Sequence, residues 1–201
     1  MKPFARALIP ALAAGALLQG CATPVGPVEV TRFHLPDTAM LGRGVIRVDP
    51  APGQDGAGIE YRTYAAAIAR ELTRLGYAEA VPGGPAPSQI AVLSVDRETL
   101  APQRRGSPVS VGVGGGTGSF GSGVGLGLGI NLSGPPPAQV NTRLSVAIRD
   151  RGSNQNLWEG RAQFGVSAKA PLAQTSLGAA KMAQALFKSF PGNSGETIIV
   201  P

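Results

Sequence analysis

Side chains able to do acid–base or metal chemistry are scarce in this chain: one histidine, one cysteine and twelve acids among 201 residues. His34 stands three residues before Asp37. Such a pair could act as a base and its orienting group, but a lone histidine beside a Pro-Asp turn reads as a surface residue and rules out a multi-histidine metal site. Asp96 and Glu98 are the closest acids of note. Spacing of i,i+2 at a strand end puts both on one side, where they could share a proton or a cation, and where a solvated strand end is the plainer reading. Tyr61 and Tyr64 could form a ligand platform, but their spacing fits the core stripe of a helix. Trp158, the only tryptophan, reads as core within Trp158-Glu159-Gly160. The string from Gly116 through Gly118 to Gly121 fits GxGxxG letter for letter. No βαβ pattern surrounds it, and a glycine-rich tract produces such matches by chance, so it is not read as a dinucleotide loop. No GxxxxGK(S/T) string occurs. No catalytic, cofactor or metal site is expected, and the chain is read as non-enzymatic.

The remaining reactive residue, Cys21, sits in Leu18-Gln19-Gly20-Cys21-Ala22, directly after a run that carries Lys2 and Arg6 and is then almost wholly apolar from Ala7 to Leu18. A short positive segment, a short apolar segment and a small residue before the cut make a secretory signal, too short to span a bilayer as a helix. The placement of the cysteine resembles a lipobox, although Gln19 is a less usual residue there. The expectation is a lipoprotein signal peptide over residues 1–20, cleavage before Cys21, and acyl chains including palmitate on that residue. Several chains together satisfy the two-signal requirement for stable anchoring. Residues 21–27 form the lipidated cysteine and a short tether. By resemblance to Gram-negative lipoproteins, in which an aspartate after the cysteine favours inner-membrane retention, Ala22 implies the outer membrane, facing the periplasm.

Cleavage would leave 181 residues, enough for one domain with a core of its own. Without Lys2 and Arg6 the basic count falls from 18 to 16 against 12 acids, so the remaining chain is only mildly basic. Its longest basic cluster is Arg104-Arg105, with no interleaved aromatics. A nucleic-acid groove needs a concentrated positive stripe, so no nucleic acid is expected; a weak attraction to anionic surfaces is compatible with the charge. With Cys21 acylated, the core must be stable without disulfides.

Periodicity supplies the elements. Residues 28–34 and 45–49 read as strands, and 59–75 as an amphipathic helix closed by Gly76. Residues 89–95 form a continuous apolar run, read as a central strand buried on both faces. Residues 140–149 and 157–166 alternate around a polar turn and make the best hairpin in the chain, with Gly160 on the inward set, where it either weakens the strand or admits a large neighbour such as Trp158. Residues 172–190 read as a second helix after Pro171, stopped by Pro191-Gly192, and 197–200 as a last strand. The fold class expected is α+β: a two-layer sandwich, with a mainly antiparallel sheet and two amphipathic helices on one face, over residues 28–201.

An insertion at residues 106–134 holds twelve glycines in twenty-nine residues. Val109, Val111 and Val113, then Val124, Leu126, Leu128, Ile130 and Leu132, alternate with small residues. This suggests a hairpin with one apolar and one nearly bare face. It could be a half-ordered surface hairpin, a hairpin covered by a partner protein, or a hairpin given to a membrane-inserted oligomer. The shorter first arm and the single aromatic, Phe120, weigh against the last.

The helix ending Leu75-Gly76-Tyr77, the apolar strand after it, the glycine-rich middle and Leu157-Trp158-Glu159-Gly160 ahead of a helix ending near Phe190-Pro191 resemble the lipoproteins grouped as domain-of-unknown-function family 4136. The resemblance covers most of the chain after the signal. It implies a cell-envelope lipoprotein of compact α/β build and, since that family has no established activity, no functional residues. The function expected is that of a lipid-anchored envelope protein with a periplasmic binding or assembly domain, its partners being the membrane and an envelope protein. The alternative is a subunit of a membrane-inserted oligomer that uses the glycine-rich hairpin.

Overall fold

The structure, a computed structural model, describes residues 26–102, 109–118, 121–130 and 137–201. The signal segment, Cys21, Arg104-Arg105 and Phe120 lie outside the described residues. Among the described residues nine strands and two α-helices follow in order: β1 (Val28–His34), β2 (Val45–Pro50), α1 (Ile59–Arg74), β3 (Ala78–Glu79), β4 (Gln89–Leu100), β5 (Val109–Gly118), β6 (Gly121–Ile130), β7 (Gln139–Asp150), β8 (Asn156–Ser167), α2 (Thr175–Leu186) and β9 (Thr197–Val200). Seven strands form one sheet in the order β3-β2-β4-β7-β8-β1-β9, and β5 and β6 form a separate two-stranded sheet. The class is α+β, as expected.

The expected strand directions need correction at one edge. β2 runs parallel to both β3 and β4, while β4–β7, β7–β8, β8–β1 and β1–β9 are antiparallel. The parallel pairs exist because α1 carries the chain back between β2 and the strands beside it, as a parallel neighbour requires. The expectation for residues 89–95 is corrected too. Gln89, Ala91 and Leu93 are buried, whereas Ile90, Val92 and Ser94 are only half-buried, so β4 covers the core with one face. The apolar residues on the other parity hid the alternation.

α1 follows its apolar stripe: Tyr61, Tyr64, Ala67, Ile68 and Leu72 are buried. Its end closes as a glycine-terminated helix should. Gly76 has φ +103°, and the N–H of Tyr77 bonds to the Leu72 carbonyl at 3.2 Å. A Cβ at 76 would lie 2.7 Å from the Gly42 carbonyl oxygen, so close approach adds to the conformational need. α2 is shorter than its sequence pattern suggests. Pro171–Ala173 forms a separate 3₁₀ turn, the α-helix runs only from Thr175 to Leu186, and the backbone turns at Ser189 with φ +59°. Proline pre-sets a helical φ for a first turn without ensuring that the turn continues.

The buried alternate residues of β1, β7 and β8 join Tyr64, Ile68 and Leu72 of α1 and Ala179, Met182 and Leu186 of α2 in one core. Trp158 is 1% exposed and stacks on Phe187 with ring centroids 5.3 Å apart; its Nε1–H donates to the Pro191 carbonyl at 3.0 Å. A Cβ at Gly160 would lie 2.2 Å from Trp158 Cη2, so the glycine makes room for the indole.

Candidate functional site

No described pair of groups assembles an acid–base site. Both ring nitrogens of His34 face backbone carbonyls, Leu35 at 2.7 Å and Gly192 at 3.2 Å. Asp37 instead accepts the Ala39 N–H within its own turn. Asp96 and Glu98 lie on the outer parity of β4, where both face Arg143 across the ladder at 3.4 and 4.0 Å. Tyr61 and Tyr64 are core residues. Burial holds the Tyr64 hydroxyl above its ordinary pKa and pushes that of Tyr61 up to about 12. Tyr61 Oη has no hydrogen-bond partner among the described residues. Gly116 and Gly118 close β5 and Gly121 opens β6, so the GxGxxG string spans a hairpin rather than a strand-to-helix turn. Among the described residues no three His, Cys, Asp or Glu side chains gather as a metal site.

Two arginines that sequence reasoning passed over organise the domain. Arg32, on the inward parity of β1, is 3% exposed; its Nε donates to the Leu186 carbonyl at 3.0 Å and Nη2 to the Ala185 carbonyl at 3.2 Å. It thereby caps the C-terminus of α2, where carbonyls lack helical partners and the helix dipole favours a cation. Burial lowers its pKa, opposed by the nearby charge of Glu196.

Arg97, on the inward parity of β4, works at the other end. Its Nη1 donates to Glu60 Oε1 at 2.8 Å and to Thr175 Oγ1 at 3.0 Å, and its Nη2 to the Ala173 carbonyl. Glu60 is in the first turn of α1 and Thr175 opens α2, so Arg97 ties the N-termini of both helices to one point on the sheet. The helices therefore begin side by side. A signal for both arginines was available: each occupies an apolar parity position of a strand.

The register places more of the chain at the Arg97 end. Val28, Phe164, Thr142 and Arg97 form one row across β1, β8, β7 and β4. Gly26, just ahead of β1, packs against the Gly165 carbonyl. Leu100 pairs with Gln139, so the segment between them leaves and rejoins the sheet at this same end. Within it, Val109 pairs with Ile130 and Gly118 with Gly121, giving two ten-residue arms. The expected hairpin is therefore present, with a longer first arm and a tighter turn than alternation alone suggests; Leu132 lies outside the described residues. Among the described residues no helix is long and apolar enough to cross a membrane, which leaves strands untested.

Comparison with known proteins places the chain beside one from Zymomonas mobilis subsp. mobilis, the uncharacterized protein ZMO1243. The two are 32% identical over 213 aligned positions, covering 85% of this chain and 79% of that protein. The chain belongs to the ZMO1243 family. No family model matches the chain. Among solved structures, a PDZ domain protein from Parabacteroides distasonis gives a TM-score of 0.46 at 10% identity over 87% of this chain, which spans only 39% of that one. The PelC dodecamer from Paraburkholderia phytofirmans gives a TM-score of 0.39 at 10% identity, over 79% of this chain and 96% of that one. Both likenesses are distant.

Proposed function

We propose that this member of the ZMO1243 family is a lipid-anchored lipoprotein of the Gram-negative outer membrane, facing the periplasm, whose domain binds an envelope partner without catalysis. The observation that carries the reading is the sole cysteine, Cys21, set directly behind a positive and then apolar segment. The layout it shares with domain-of-unknown-function family 4136 supports the same address. The domain is a two-layer sandwich with α1 and α2 on one sheet face; the exposed outward residues Arg143, Arg161 and Gln163 support this arrangement. Globomycin should leave an uncleaved precursor, and labelled palmitate should enter the wild type but not Cys21→Ser. Unchanged membrane fractionation of Cys21→Ser would sink the reading.

One observation favours the second reading, a subunit of a membrane-inserted oligomer. Each arm of β5–β6 has ten residues, within the about 9–11 that a tilted transmembrane strand needs. No charged residue occurs between Arg105 and Arg143. Mass measurement in mild detergent separates the readings. A monomer whose hairpin is open to protease argues for the first, and a closed ring with a protected hairpin for the second.

A further inference from the structure

From the position of the chain's attachments we infer that the Arg97 end of the domain is a docking face for the surface of a phospholipid bilayer, with Ile59 and Leu177 as its aliphatic contacts. The inference rests on the lipid-anchor reading and adds an orientation to it. Three independent features converge there. The chain from Cys21 reaches the domain at Gly26, in the row of Arg97, and five residue steps span at most about 17 Å. The uncharged stretch between Arg105 and Arg143 departs and returns through the Leu100–Gln139 pair at that end. Arg97 also gathers the helix N-termini, which puts Ile59, the first residue of α1, near Leu177, the third of α2.

Ile59 is 78% exposed and Leu177 45% exposed, and Leu100 at the same end is 46% exposed. An aliphatic side chain in water at the first turn of a helix contributes nothing to the core. Facing an interface, it sheds water. Arg62, one turn along α1 and without a salt bridge among the described residues, lines a groove with Ile59 and Ser176, where its guanidinium could pair with a lipid phosphate. The opposite end carries the β7–β8 turn around Ser153 and the loop after β3 around Val81, itself 60% exposed, so the attachments rather than apolar exposure alone decide that it would face away from the membrane.

The test uses the full lipidated chain in vesicles of phosphatidylcholine and phosphatidylglycerol. Under the anchor reading Cys21 offers no free thiol, so single cysteines introduced as Ile59→Cys, Leu177→Cys, Val81→Cys and Ser153→Cys can each take one environment-sensitive fluorophore. Nitroxide lipids should quench positions 59 and 177 severalfold more than 81 and 153. Adding Arg62→Glu should weaken quenching at 59. Vesicles that float with the protein but quench both ends alike, or 81 and 153 more, overturn the docking face and leave the anchor standing. Protein that fails to float overturns both. The four positions are exposed, so folding is checked by equal thermal midpoints across the set.

Discussion

Arg32 shows how one side chain can fix two elements. Its guanidinium, on the inward side of β1, occupies the open carbonyls of α2. Arg32→Met keeps the volume and leaves those carbonyls without a donor, a loss of about 2–3 kcal/mol that urea denaturation would register. Tyr61 has the reverse character, since its buried hydroxyl lacks a described partner. Tyr61→Phe should be neutral to stabilising, by about 1 kcal/mol. The same substitution should act on pH dependence. Burial, aided by the charge of Asp49, raises the Tyr61 phenol from 10 to about 12, so the folded chain holds that proton more tightly than the unfolded one. The associated stability is complete below pH 10 and is lost as pH rises from 10 to about 12. Denaturant midpoints across that window should fall less steeply in Tyr61→Phe. At this scale Trp158 and Gly160 were legible, since size and parity alone set one against the other. The capping roles of Arg32 and Arg97 were not, because a strand pattern records that an arginine points inward and not which helix end awaits it.

At the scale of elements, the β4–β7 ladder explains why a large glycine-rich insertion is tolerated. Leu100 and Gln139 already face each other, so the sheet closes whether the connection is short or long. Replacing residues 101–138 with Asn-Gly should raise the unfolding free energy by about 2–3 kcal/mol, since each halving of a flexible loop saves roughly 0.6 kcal/mol of closure entropy. A loss on chemical denaturation instead would mean that β5–β6 packs on the domain. The β7–β8 hairpin was legible from period two. Strand direction was not: nothing in the alternation of β2 distinguishes a parallel neighbour from an antiparallel one. The start of α2 was misplaced for a local reason, because Pro171 opens a 3₁₀ turn and the α-helix waits for Thr175.

For the whole molecule, Cys21 carries the proposed address, while the register defines which end of the domain the chain enters at Gly26. A single cysteine also means that no intrachain disulfide can form. Thermal unfolding should therefore be indifferent to reductant, and a shift on adding it would point to an intermolecular bridge. β1 lies between two antiparallel neighbours, matched to β8 over seven residues and to β9 over four. A tension applied at Gly26 pulls along β1 while its hydrogen bonds lie across the pull. They are loaded together in shear rather than peeled one at a time. The first strand is thus built as a mechanical clamp, suited to the anchored, partner-binding domain proposed above.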